Sequence, residues 1–307
     1  MHTTTPESPL NPLSRRHFLQ ITTLAAVGAT LGPLTAAHRT PADYPIGCYT
    51  RCFDQHEYRV ALDAIAEAGY KYAGIMTAKG DPWVIITPKT TLETATRIAG
   101  DLKQRDLKAL SVFADFSVSQ SLEQGITELR HIIDCCALCG SPGLLLGGTG
   151  DEKLYPLYIK AIRESCDYAA SKAVLLTIKP HGGKNATGPQ CRKMIEQVAH
   201  QQFRAWYDPG NIFYYSEGAL NPVEDCPSIA DLVVGMSVKD YQRPKEVLVN
   251  PGDGEVDFHA VFTRLKQGGF KRGPLVVECL ARAELKTVIA AAIKTRLFLE
   301  HLTGAKG

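Results

Sequence analysis

The sequence predicts a single (β/α)8 barrel, and three observations carry that reading. From Tyr44 onward, short apolar runs rich in β-formers alternate with amphipathic stretches at even spacing, the rhythm of βα units around a parallel sheet. About eight such runs can be read, the number that closes a barrel. Polar clusters then follow several runs directly: Lys179-Pro180-His181-Gly182-Gly183, Asp208-Pro209-Gly210-Asn211, Ser237-Val238-Lys239-Asp240, and Glu278 in Val276-Val277-Glu278-Cys279. Polar residues at the C-terminal ends of successive strands are where such a barrel keeps its active site.

The predicted strands run in order from Ile46 to Cys52, Tyr72 to Thr77, Ala109 to Ala114, Gly143 to Leu146, Val174 to Lys179, Arg204 to Asp208, Leu232 to Val238 and Leu275 to Glu278. Helix starts carry their own signals. Asp54 with Glu57, Thr90 with Glu93, and Thr187 with Gln190 have capping-box spacing, in which the first side chain accepts a backbone N–H and the later one reaches back. A doubly wound open sheet has a similar rhythm, but Tyr49-Thr50-Arg51-Cys52-Phe53 follows the first strand where a Gly-x-Gly-x-x-Gly turn is expected. At 307 residues the chain is long enough for one barrel with a large core.

The N-terminus is read separately. Ser14-Arg15-Arg16-His17-Phe18-Leu19-Gln20 has the twin-arginine pattern, and the apolar stretch from Ile21 to Leu34 is short and rich in Gly and Thr. It is too short to span a bilayer comfortably. Thr35-Ala36-Ala37 then offers small residues for cleavage. Residues 1–37 are therefore expected to be a cleavable export signal, leaving a barrel over 44–303. Such a signal is an address read by the twin-arginine export machinery rather than a stable membrane anchor, so a periplasmic or extracytoplasmic bacterial location is expected.

Charge narrows the partner. Thirty-four basic and 32 acidic residues nearly cancel, and no Lys/Arg run interleaved with aromatics suggests nucleic acid. A compact neutral ligand fits this balance better than a polyanion. The nine cysteines, an odd number, do not read as a disulfide scaffold. Cys135, Cys136 and Cys139 lie in an apolar helical stretch without a second ligand pair, which favours packing over a metal knuckle. Cys48 and Cys52 flank the end of the first strand, near the expected mouth.

Side chains alternate along a strand, so Thr177, Lys179 and, by extension, His181 share a face, as do Arg204, Trp206 and Asp208. If these faces point inward, Lys179, Asp208, Ser237 and Glu278 converge on one small volume. The plain alternative is a structural ion-pair cluster closing the barrel top. Trp206 and Tyr214 or Tyr215 are candidates to stack on a sugar ring, with aromatic core filling equally open. Asn211, Ser237 and Lys239 are candidate hydroxyl binders. Gly147-Gly148-Thr149-Gly150 is a weak candidate for a phosphate cradle.

Tyr207-Asp208-Pro209-Gly210-Asn211, Val238-Lys239-Asp240, the stretch from Pro251 to Phe258, and Val277-Glu278 together resemble the xylose isomerase-like barrels, a family that includes sugar phosphate isomerases, epimerases and endonuclease IV-like enzymes. The resemblance runs from Ile46 to about Leu302. It implies a Glu, an Asp, a His and a Glu at the ends of strands five to eight holding a divalent metal, with the glutamates moving a proton at a sugar carbon. Asp208 matches the Asp and Glu278 the last Glu, whereas Lys179 stands where the first Glu is expected and Ser237 where the His is. A lysine ammonium offers donors only and repels a cation, so the four-ligand site is not intact.

Three readings of the altered site follow. The Lys179 ammonium replaces the metal and stabilises an oxyanion, with Glu278 or His181 moving the proton. Alternatively Lys179 forms a Schiff base, although two nearby carboxylates favour the ammonium over the free amine this needs. In the third, a divalent metal is held by Asp208, Glu278 and His181. The resemblance implies isomerisation or epimerisation of a sugar or sugar-derived carbonyl compound through an enediolate-like state. A lyase or hydrolase on oxidised glycosides and a non-catalytic carbohydrate-binding barrel are the rivals.

Overall fold

The structure, a computed structural model, describes residues 43–304, so the export signal expected over residues 1–37 lies outside the described residues. Eight parallel strands close into a barrel in sequence order: β1 (Ile46–Tyr49), β2 (Tyr72–Ile75), β3 (Lys108–Phe113), β4 (Gly143–Leu146), β5 (Leu175–Ile178), β6 (Phe203–Tyr207), β7 (Val233–Val238) and β8 (Leu275–Val277). β1 pairs with β2 on one side and β8 on the other, Cys48 facing Ala73 and Val277. Helices α1 (Tyr58–Glu67), α2 (Leu92–Lys103), α3 (Leu122–Leu138), α4 (Tyr155–Ser171) and α5 (Gly188–Val198) fill the first five crossovers. Two short helices, α6 (Pro209–Tyr215) and α7 (Pro222–Asp225), follow β6; α8 (Phe258–Gln267) and α9 (Leu285–Thr303) complete the ring.

Two cores result. The larger lies between strands and helices and takes in Leu62, Ile65, Ile132, Ile162, Ile178, Val261 and Leu299. Cys135 and Cys136 on α3 and Cys139 at its C-cap are buried there as packing residues. The smaller core fills the barrel itself with Tyr49, Met76, Leu110, Leu145, Trp206 and Val276. Two rings this large fit because two strand residues lack side chains: a Cβ on Gly74 would strike the Tyr49 ring, and one on Gly235 the Trp206 ring. The register shifts at these same places, between Ala73 and Gly74 and between Ala205 and Trp206. Such irregularities re-aim neighbouring side chains.

The expected strands are all present: β4 has the expected bounds, β3 and β6 start and end one residue earlier, and the other five are shorter. The largest difference is at β1, which stops at Tyr49 because Thr50–Phe53 turn as a 3-10 helix. That turn is pinned by the Thr50 hydroxyl, which accepts the Met76 N–H at 3.0 Å. Of the three expected capping boxes, only Thr187 with Gln190 forms. α2 is capped one residue later than expected, by Thr91, whose hydroxyl accepts the Thr94 N–H. Thr90 instead turns back to take the Thr87 N–H. α1 starts after Glu57 with no side-chain cap, and Asp54 ends the preceding turn.

Candidate active site

β5 to β8 place the polar residues just beyond the inner core. Lys179 follows β5 directly, Asp208 follows β6, Ser237 and Lys239 close β7, and Glu278 follows β8. All five are buried: Lys179, Asp208 and Ser237 at 0% exposure, Glu278 at 1% and Lys239 at 4%. Burial of so much charge is tolerable only if every group is paired, and here the pairing is dense. The Lys179 ammonium donates to Asp208 Oδ2 at 2.9 Å and to both Glu278 oxygens at 2.7 and 2.6 Å. Lys239 reaches Asp208 Oδ2 at 3.1 Å, Glu278 Oε1 at 2.5 Å and Asn211 Oδ1 at 3.0 Å. Ser237 adds a hydroxyl donor to Glu278 Oε2 at 2.6 Å.

Asp208 has a second task. Its Oδ1 accepts the Asn211 N–H at 3.0 Å, capping α6. That helix turns Asn211 inward, where its amide donates to the Pro180 carbonyl at 2.7 Å and its oxygen receives Lys239. One residue thus fixes the helix start, the loop after β5 and one arm of the ion cluster.

A cavity of about 280 Å³ opens above the cluster, and Lys239, Glu278, His181, Asn211, Arg51 and Thr77 are among its lining residues. This separates the expected site residues into two tiers. Glu278, His181, Asn211 and Lys239 face the cavity; Lys179, Asp208, Ser237 and Trp206 lie outside its lining. Trp206 belongs to the inner core, its indole N–H donating to Ser237 Oγ at 3.0 Å. Core filling, the alternative left open by the sequence, is therefore its place. Ser237 passes that hydrogen bond on to Glu278 rather than meeting a ligand. Tyr214 and Tyr215 do line the cavity.

The electrostatics follow from the packing. Burial alone would raise the Glu278 carboxyl, but Lys179, Lys239 and Arg51 outweigh it and hold the group well below the usual carboxylate range. For Lys239, burial favours the neutral amine, yet Asp208 and Glu278 prevail and keep its affinity for the proton above that of an ordinary lysine. His181 goes the other way: burial, then the charges of Lys179 and Lys239, lower it to about 3. Its ring, between the edges of Phe113 and Tyr215, is a neutral imidazole at physiological pH.

A divalent metal does not fit these residues. The Lys179 ammonium lies within hydrogen-bonding distance of both carboxylates that a cation would need, and Lys239 claims an oxygen on each. Among the described residues no three His, Cys, Asp or Glu side chains are grouped to hold a metal. The set Asp208, Glu278 and His181 therefore does not assemble into the site that the third reading required.

The Gly147–Gly150 turn is also occupied from within. Asn185 packs against Gly148 and donates to the Gly147 carbonyl at 2.9 Å. The Asp115 carboxyl packs against Gly147, with the Gly147 and Gly148 amides beside it, so a phosphate here would meet a carboxyl. Asp115, two residues past β3, was missed by the sequence reading, as were the roles of Arg51 and Thr77. The signal for Asp115 and Thr77 is present, a polar residue at the end of an apolar run; Arg51 has none, because a turn rather than a strand aims it.

The fold and site define a (β/α)8 barrel whose mouth holds a buried carboxylate–ammonium cluster. Its sequence matches the xylose isomerase-like TIM barrel family over residues 62–300, and the chain belongs to that family. No curated protein matches the chain significantly. Solved structures share the fold at low identity. The D-allulose 3-epimerase of a Methylomonas species superposes with a TM-score of 0.65 at 18% identity, over 85% of this chain and 99% of that one. A xylose isomerase domain protein of Planctomyces limnophilus gives 0.62 at 19% identity, over 86% and 99%. The 3-keto-D-glucoside 4-epimerase of E. coli gives 0.61 at 17% identity, over 83% and 99%.

Proposed function

We propose that this barrel isomerises or epimerises a sugar-derived carbonyl compound through an enediolate-like state, without a divalent metal. The observation that carries the reading is the pair of ammoniums bonded to Asp208 and Glu278, with Lys239 and Glu278 both facing the cavity. The similarity to barrels named as sugar epimerases supports the substrate class.

In the proposed step, a Glu278 oxygen takes the proton from the carbon next to the substrate carbonyl. The C–H electron pair moves into the new C=C bond and the carbonyl pair onto oxygen. The Lys239 ammonium donates to that oxygen as its charge grows, which is where preorganised donors contribute most. Glu278 is a weak base while both ammoniums hold it. A substrate oxygen that draws Lys239 away removes one of those donors and strengthens the base at the moment of need. The proton returns to the neighbouring carbon for isomerisation, or to the other face of the same carbon for epimerisation. His181, neutral, is suited to pass a proton between substrate oxygens. Lys179, beneath the cavity, is a positioning residue that fixes Glu278 and Asp208.

Solvent exchange tests this. Ketoses and aldoses incubated in D2O with the chelated protein should lose the NMR signal of the proton next to the carbonyl, and Glu278→Gln should slow that loss about a hundredfold or more. Exchange that disappears on chelation and returns with a divalent ion would sink the ammonium mechanism. Sugar binding with no exchange would leave a binding protein.

The twin-arginine pattern from Ser14 to Gln20 supports export of the folded barrel. Replacing Arg15 and Arg16 by Lys should retain the protein in the cytoplasmic fraction, and unchanged fractionation would refute export.

A further inference from the structure

The β1–β2 side of the mouth carries charge and hydrogen-bonding capacity that the reaction above does not use. Within the cluster, the Lys179 and Lys239 ammoniums are matched by the Asp208 and Glu278 carboxylates. Arg51 is a third cation lining the same cavity, and among the described residues it forms no ion pair. Its Nε donates to Cys279 Sγ at 3.4 Å and its guanidinium lies 5.5 Å from the Trp83 ring centre. Neither contact cancels the charge, since burial pushes the Cys279 thiol up and leaves it neutral at physiological pH. The nearest turn carboxylate, Asp54, is turned toward Arg282 at 3.7 Å.

Thr77 supplies an independent observation. It lines the cavity, is 1% exposed, and its hydroxyl has no hydrogen-bond partner. A buried hydroxyl left unpaired costs stability unless something meets it. A half-buried guanidinium that feels Glu278 and Asp54 only at a distance, with no carboxylate bonded to it, and an orphan hydroxyl on one wall of one cavity ask for the same thing, an anionic acceptor with two oxygens.

We propose that Arg51 and Thr77 bind a carboxylate carried by the substrate, which is a sugar acid rather than a neutral sugar. One unmatched cation calls for a singly charged group, which favours a carboxylate over a phosphate dianion. The cavity of about 280 Å³ lies at the lower end of small-ligand sites, the size for one sugar unit. The near-neutral balance of the whole chain pointed to a neutral ligand, but the local sum at the mouth is what a ligand meets. The inference rests on the sugar-carbonyl reading for the site of reaction, while its test reads binding alone.

Calorimetric titration with D-glucuronate, D-gluconate and D-glucose at constant ionic strength, with inorganic phosphate as a fourth probe, decides the point. At least one acid should bind about ten- to a hundredfold more tightly than D-glucose, the range of a charged hydrogen-bonded contact. Arg51→Gln should abolish that preference, Arg51→Lys should keep part of it, and Thr77→Val should reduce it while retaining the charge. No preference for either acid, a preference that survives Arg51→Gln, or phosphate binding more tightly than both acids would each overturn the proposal. If Arg51→Gln does not fold, as judged by its melting curve, Thr77→Val decides: an unchanged preference overturns the proposal. Uronate binding that depends on Arg51 without solvent exchange would refute the enzymatic reading alone. Exchange on neutral sugars without acid preference would refute this inference alone.

Discussion

Lys239 and Asp240 are neighbours at the end of β7, and they face two different solutions to the same problem. On the Lys239 side, Asp208 and Glu278 are buried among side-chain ammoniums. On the other side, Asp240 is equally buried but accepts only backbone N–H groups, from Tyr241 at 2.8 Å, Gly252 at 2.9 Å, Gly254 at 3.0 Å and Val256 at 3.0 Å. Alternation along the chain sends one residue into the mouth and the other into the loop behind it. The amides are fixed and cannot be withdrawn, so Asp240 is a loop anchor that clasps the stretch before α8. Ammoniums on long stems can change partners when a ligand arrives. Asp240 and the Asp208–Glu278 pair thus differ in what holds them, not in how deeply they are buried.

The sharpest way to break the contrast is Lys179→Met. It removes a cation from between two buried carboxylates and leaves Lys239 to serve both, so stability should fall by about 3–5 kcal/mol, the usual cost of a broken buried pair. Adding Glu278→Gln to that variant removes the stranded charge and should recover part of the loss in urea unfolding. An additive double variant would mean that the two residues are not coupled.

Asp240→Asn probes the other side. The amide keeps one acceptor oxygen and places an NH2 group against backbone donors, so a loss of about 2–4 kcal/mol is expected from several weakened bonds. Because Lys239, Glu278 and His181 are untouched, ligand affinity at temperatures well below the melting point should change little. A large loss of affinity in a folded Asp240→Asn protein would show that the loop and the mouth act as one unit.

The barrel, its strand order and the convergence of four strand ends were legible because period-two alternation and strand spacing are local signals. Which of the converging residues meets a ligand was not legible. Lys179 and Lys239 look equivalent in sequence, and only the height of each strand end above the inner core separates them. Trp206 read as a site residue because it shares a face with Asp208, but a shared face does not give depth: two residues further down, that face is the barrel interior. Arg51 was hidden for another reason. Its aim depends on the 3-10 turn that replaces the end of β1, and that turn is set by a hydrogen bond to Thr50 from Met76, 26 positions downstream of it.

Asp115 is a third carboxylate, and it refines the contrast with the smallest effect. Its Oδ1 accepts the Tyr158 hydroxyl at 2.9 Å and the Phe116 N–H at 3.0 Å, with the Gly147 and Gly148 amides nearby. Although the residue keeps some exposed surface, its carboxyl is enclosed and has no cation. Burial therefore wins over the hydrogen bonds and raises it to about 7 from an ordinary 3.8. The sign of the consequence is fixed by linkage. Between those two values the unfolded chain has released the proton and the folded chain still holds it, so Asp115 makes the fold less stable as pH rises through this window. Asp115→Asn cannot titrate, and its stability relative to the unsubstituted protein should climb from pH 4 to pH 7 and level off above pH 8, whatever the fixed cost of the altered hydrogen bonds. Thermal melts at these pH values measure the difference directly. A difference that stays constant with pH would mean that Asp115 is ionised in the fold despite its burial, and that neutral donors suffice to bury a carboxylate here.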